Sequence, residues 1–149
     1  MNSRRGWGVL VVALLGLAGG APVACSSGGG TTDMVSKAMS ALPSSIKDSV
    51  TRYMGNSADL NKLLAGITDG GKAQNAVPQI NQLIGSMQGD ANTINSASPE
   101  VRKNVKTAFG GQLGDLTKNL DSQIKRLTGN ANISSALGSV LNNIPKLSL

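Results

Sequence analysis

Apolar residues recur at intervals of three or four along most of the chain from residue 34 onward, the spacing of one helix face. The longest stripe consists of Val101, Val105, Phe109, Leu113, Leu116, Leu120, Ile124 and Leu127. Ser98, Pro99 and Glu100 directly precede it and supply a cap, a first-turn proline and an acid favoured by the helix dipole. With Gly129 as a stop, the pattern predicts a helix over residues 99–127.

A second long apolar face precedes this one, and Asp69 is placed to cap it. Its members are Ala73, Ala76, Val77, Ile80, Leu83, Ile84, Met87 and Ile94. Pro78 falls inside this helix, where it removes one backbone hydrogen bond and is expected to kink the axis. The two helices, near 73–95 and 99–127, are predicted to form a hairpin through a turn at 95–98.

Shorter helical faces flank this pair, and they are predicted at 34–42, at 43–54, at 57–67 and at 133–144. Thr32 or Asp33 would cap the first of them, and breaks are expected at 55–57 and 68–71. No segment has the two-residue alternation that strands need. The sequence therefore predicts an all-α fold, an up-and-down bundle of four or five helices with a long central hairpin.

Several glycines lie inside the predicted helices, where each costs about 1 kcal/mol relative to alanine. Gly85 and Gly89 are four apart, as are Gly110 and Gly114, so each pair shares a face. Such faces can bring helices into close contact or can face a ligand, and glycine-rich composition alone is a third explanation.

The N-terminal segment has a basic start, a short apolar middle and a small-residue exit, the layout of a secretory signal. Arg4 and Arg5 are followed by the apolar run 7–17 and then by small residues up to Cys25. The run is shorter than the roughly 20 residues that span a bilayer, which disfavours an uncleaved membrane anchor. The adjacent arginines leave both general secretory and twin-arginine export open.

The residues Pro22-Val23-Ala24-Cys25 resemble the lipobox of bacterial lipoproteins, although Pro22 replaces the usual aliphatic residue. The resemblance implies cleavage before Cys25, acylation of its thiol and anchoring in a membrane through the acyl chains. Several chains together hold a protein far longer than one. Ser26, in place of the aspartate that retains lipoproteins in the inner membrane, implies an outer-membrane location facing the periplasm.

These features divide the chain into a signal peptide at 1–24, a lipidated cysteine with a flexible Ser/Gly tether at 25–32, and one helical domain at 33–149. A second resemblance covers residues 63–80, where a helix ending in Ile67-Thr68-Asp69 precedes small residues and Pro78. This pattern is similar to uncharacterised exported helical proteins of planctomycete-type bacteria, although Gly70-Gly71 departs from it. It implies an exported helical hairpin and no particular activity.

Composition bears on the possible chemistry. The chain has no histidine and a single cysteine, so the common nucleophile–base pairs and transition-metal sites lack their residues. Serine–lysine pairs occur at Ser36/Lys37 and Ser122/Lys125, but both residue types are common on helix surfaces. We therefore expect that the protein is not an enzyme and that it binds no cofactor and no metal ion. The net charge of +6 is scattered and has few aromatics beside it, which disfavours nucleic-acid binding.

The sequence supports three hypotheses for function. The first is a lipid-anchored envelope protein that binds or scaffolds another envelope protein. The second is a periplasmic carrier of small apolar molecules, with a pocket between loosely packed helices. The third is a cationic, membrane-active amphipathic protein.

Overall fold

A computed structural model describes residues 29–149, and these residues form five α-helices and no strand. The helices are α1 (Gly29–Ser40), α2 (Ser44–Ala65), α3 (Gly70–Asn95), α4 (Pro99–Thr128) and α5 (Ala131–Leu141). The predicted all-α helical bundle is confirmed.

Helices α2 to α5 surround one core in the order α2, α3, α5, α4, and α1 packs on the outside of α4. The two longest helices, α3 and α4, follow one another across a turn at 96–98, yet each packs mainly against other helices. Arg126 near the end of α4 donates to the carbonyls of Leu64 (2.7 Å) and Ile67 (3.0 Å), just where α2 ends. Helices α2 and α4 therefore run in the same direction.

The core is aliphatic, as the stripes of the sequence predict, with Tyr53 and Phe109 as its aromatic members. Its most completely buried large side chains are Leu60, Leu64, Ile67, Ile80, Met87, Ile94, Leu127 and Leu137. Burying such side chains contributes about 1.5–3 kcal/mol each, which makes apolar packing the main source of stability.

The predicted caps of the two long helices are confirmed. The Asp69 carboxylate accepts a 2.9 Å hydrogen bond from the backbone N–H of Lys72. This backbone hydrogen bond holds the pKa of Asp69 below its usual value. The Ser98 hydroxyl accepts from the N–H of Val101, and Gly129 follows the last turn of α4.

The break predicted at 55–57 is wrong, because α2 is continuous from Ser44 to Ala65. Ser57 is buried inside this helix, and its hydroxyl donates a 2.7 Å hydrogen bond to the carbonyl of Tyr53 one turn back. The would-be capping group is thus satisfied within the helix. Packing of Leu60 and Leu64 on the core outweighs the cost of Gly55 in mid-helix.

Two other boundaries differ from the predictions. Helix α1 begins at Gly29, so part of the expected 25–32 tether is helical and neither Thr32 nor Asp33 is at its start. Helix propensity is a weak prior that tertiary contact can override, and α1 packs along α4. Helix α5 ends at Leu141, so Ile144 lies beyond the helix predicted to contain it.

Candidate functional site

A groove of 790 Å³ runs along α4, between that helix and the last eight residues of the chain. We call residues 142–149 the C-terminal strap. The groove is lined by apolar side chains from α4, α5 and the strap, with Tyr53 of α2 also in its wall, and its main apolar members are Leu113, Leu120, Ile124, Leu141, Ile144, Leu147 and Leu149.

Three glycines of α4, at positions 110, 111 and 114, line this groove. A Cβ atom placed on Gly111 or Gly114 would meet no other atom within 4 Å, and one on Gly110 would touch only the side chain of Lys106 at 3.6 Å. Close helix contact therefore does not explain these residues. The Gly85 and Gly89 pair of α3 likewise faces open space. On α4, the missing side chains leave room in the groove.

Side chains from three helices hold the strap through its backbone. The Tyr53 hydroxyl donates to the carbonyl of Pro145 at 2.7 Å. Asn95 makes two bonds, donating to the carbonyl of Lys146 at 3.1 Å and accepting from the N–H of Ser148 at 2.8 Å. Arg102 donates to the carbonyl of Ser148 at 3.1 Å. Burial raises the pKa of the Tyr53 hydroxyl, because the phenolate would lose hydration there.

Sequence reasoning missed the strap as a wall of the groove. Ile144, Leu147 and Leu149 pack against the bundle core, although no regular secondary structure places them there. The alternation of Leu147 and Leu149 after Pro145 was the available signal for an extended segment with one apolar face. The bonds to Tyr53 and Asn95 join positions far apart in the chain, so no local pattern indicates them.

A second hollow, of 590 Å³, adjoins the groove at the start of α4. Lys106, Leu147 and Leu149 line both spaces, so the two are neighbours that share part of their walls. Arg102 and Lys103 also line the second space, which we call the cationic hollow. The Nε atom of Arg102 is buried and has no hydrogen-bond partner in the part of the chain that the structure describes.

A third hollow, between α2 and α3, is polar and has a volume of 630 Å³. It contains the ion pair of Arg52 and Asp90, with 2.8 Å between guanidinium nitrogen and carboxylate oxygen. Asp90 is only 6% exposed, and its hydrogen bond raises the pKa of Arg52 above the ordinary value. The Arg52 guanidinium also donates to Ser49 of its own helix, while its ion pair with Asp90 joins α2 to α3.

The predicted lipidation site, Cys25, lies outside the described residues. The hydroxyl of Ser122, a member of the Ser122/Lys125 pair, donates a 2.8 Å hydrogen bond to the carbonyl of Lys118. This hydroxyl is therefore bonded to the backbone of its own helix. Among residues 29–149, no three potential metal ligands come together. Within the same span, every helix is too short or too polar to cross a bilayer.

Comparison of the chain with protein-family models, with curated proteins and with solved structures found no match.

Proposed function

We propose that this protein is a carrier of small apolar molecules, held at the cell envelope by acyl chains on Cys25 and without catalytic chemistry of its own. The observation that carries the proposal is the 790 Å³ groove between α4 and the strap. Ligand sites are typically hollows of about 300–1,000 Å³ with mainly apolar walls and a few polar groups. The α4 groove has this size and this composition.

The glycines of α4 support binding in the groove over scaffolding. A Cβ at Gly111 or Gly114 would meet no atom within 4 Å, so other residues could occupy these positions at a gain in helix stability. The absence of side chains at these glycines leaves open space beside Leu113 and Leu120. An apolar ligand that covers this surface gains about 25 cal/mol of binding free energy for each Å² of apolar area removed from water.

Lipidation at Cys25 would hold this groove close to a membrane. Four Cα–Cα steps separate Cys25 from Gly29, the first residue of α1. A fully extended chain of that length spans at most about 14 Å. Because α1 packs on α4, the groove-bearing helix would stay near the lipid surface, where apolar molecules are found.

Native mass spectrometry of the full chain, purified from its host, tests the carrier function. We expect a retained apolar molecule, together with binding of the neutral apolar dye N-phenylnaphthylamine by protein stripped of its ligand. Gly114→Leu should abolish dye binding because leucine fills the groove. Gly85→Leu is the matched control, since Gly85 is also a mid-helix glycine facing open space but does not line the groove. Equal dye binding by the two variants would refute the groove as the binding site.

Metabolic labelling with radioactive palmitate tests the anchor. Label should enter the unaltered protein and the Ser27→Ala control, and should be lost from Cys25→Ser. Labelling that survives in Cys25→Ser would reject lipidation at this residue.

The two other hypotheses predict different results. A scaffold should co-purify with one envelope protein and retain no ligand. A membrane-active protein should gain helix only in the presence of vesicles, as seen by circular dichroism, whereas a bundle is helical and melts cooperatively without lipid.

A further inference from the structure

We infer that the ligand of the α4 groove is a single-chain anionic amphiphile of the fatty-acid type. Its head would lie in the cationic hollow and its chain would follow α4. This inference rests on the proposed carrier function and adds the chemical class and the orientation of the ligand.

The position of the charges sets the orientation. Arg102, Lys103 and Lys106 line the hollow at the start of α4, and no Asp or Glu lines it. The Nζ atom of Lys106 lies 3.5 Å from the backbone oxygen of Leu149, and Lys146 lines the groove. Asp121 lines the opposite end of the groove. Fifteen residues separate Lys106 from Asp121 on one helix, which corresponds to about 22 Å at 1.5 Å per residue. This exceeds the screening length of about 8 Å at physiological salt, so the two ends act independently and only the first attracts an anion.

The shared walls of the two spaces place a charged head next to an apolar chain. Lys106, Leu147 and Leu149 line both the hollow and the groove, so the two spaces adjoin at these residues, and the proposed ligand would pass from one to the other there. The Arg102 guanidinium is held in the hollow by its bond to the Ser148 carbonyl. A carboxylate there would receive charge-assisted hydrogen bonds, which are stronger than those between neutral groups.

The length of the groove suits one acyl chain. Its lining on α4 extends from Lys106 to Ile124, and eighteen residues of helix correspond to about 27 Å. One leaflet of a bilayer, which an acyl chain crosses, is about 15 Å thick. An extended chain therefore fits along the helix, and the 790 Å³ of space suits a ligand smaller than a two-chain phospholipid.

Displacement of bound N-phenylnaphthylamine from the full chain tests this inference. The competitors are dodecanoate, dodecanol and dodecyltrimethylammonium, which share one chain length and differ in head charge. The two ionic competitors are used below their critical micelle concentrations and dodecanol below its solubility limit. We expect dodecanoate to displace the dye at a concentration about tenfold lower than dodecanol does, and dodecyltrimethylammonium to be the weakest. The advantage of dodecanoate should shrink as salt is added.

The variant Lys103→Glu reverses one charge of the hollow at a residue that does not line the groove. It should reduce the preference for dodecanoate while leaving displacement by dodecanol unchanged. Lys118→Glu is the matched control, because Lys118 is an exposed lysine of the same helix that lines neither space.

The outcomes separate this inference from the carrier function. Equal displacement by dodecanoate and dodecanol, a preference for the cation, or an unchanged preference in Lys103→Glu would overturn the inference and leave the carrier function standing. Failure of the chain to bind the dye or any of the three competitors would overturn both.

Discussion

The hydroxyl of Tyr53 donates a hydrogen bond of 2.7 Å to the backbone carbonyl of Pro145, 92 residues further along the chain. Tyr53 belongs to α2 and Pro145 to the C-terminal strap, so this bond ties one wall of the groove to the bundle. The strap contains no helix and no strand. Its position therefore depends on side chains such as Tyr53 and Asn95 that bind its backbone.

Tyr53→Phe should loosen the strap without unfolding the bundle. The phenyl ring keeps the apolar packing, while the loss of one hydrogen bond costs about 1 kcal/mol. Urea unfolding should report this loss, and hydrogen exchange should be faster at the amide of Ser148, whose partner Asn95 holds the same segment. The exchange rates of amides in the middle of α3 should change only as much as the global stability changes. Unaltered exchange at Ser148 would show that the Tyr53 bond does not hold the strap.

The same tyrosine makes stability depend on pH in the alkaline range. Burial raises the folded-state pKa of Tyr53, whereas an unfolded chain ionises tyrosine near about pH 10. The contribution of the neutral phenol is complete below that pH and is lost as the pH rises through the folded-state pKa. Tyr53 is the only tyrosine, so the difference between wild type and Tyr53→Phe isolates its effect.

We expect the stability of wild type, measured by urea unfolding, to fall more steeply above about pH 10 than that of Tyr53→Phe. The lysines titrate in both proteins and cancel in the comparison. Parallel curves for the two proteins would contradict a raised pKa for Tyr53.

Alanine in place of exposed mid-helix glycines should stabilise the protein. A Cβ at Gly85 or Gly111 meets nothing within 4 Å, and alanine in a helix interior is about 0.5–1 kcal/mol more favourable than glycine. The midpoint of urea unfolding should therefore rise for each variant. Gly70→Ala is the comparison, because a Cβ there lies 3.3 Å from the Asn132 carbonyl oxygen and gains less. A loss of stability in Gly85→Ala would show that this face is packed against something.

The Asp69 cap should make the stability of the protein depend on pH in the acidic range. Its hydrogen bond from the Lys72 N–H lowers the folded-state pKa of Asp69. The contribution of the charged cap is present above the unfolded value of about 3.9 and is lost as the pH falls through the folded-state pKa. Asp69→Asn keeps an oxygen acceptor at this position without the titration.

Urea unfolding near neutral pH and near about pH 3 should therefore show a larger drop for wild type than for Asp69→Asn. The other acids are common to both proteins. Equal drops would indicate that the charge of Asp69 adds nothing to the cap.

Local chemistry made parts of the fold predictable. The Ser98 cap and the Asp69 cap act within one helical turn, so neighbouring residues alone specify where α3 and α4 begin. The stripe from Val101 to Leu127 likewise lies on one face and is buried or half-buried throughout. The core of the bundle follows from that periodicity.

The sequence by itself determined the fold class, the two long helices with their caps and the composition of the core, because these depend on residues three or four positions apart. Only the tertiary structure decided that α2 runs unbroken through Gly55 and that the strap packs beside α4. It also decided that Arg52 meets Asp90 from another helix and that Gly111 and Gly114 face a hollow. These features depend on contacts between distant segments, whose free energies of packing and hydrogen bonding exceed the local preferences that a sequence pattern reports.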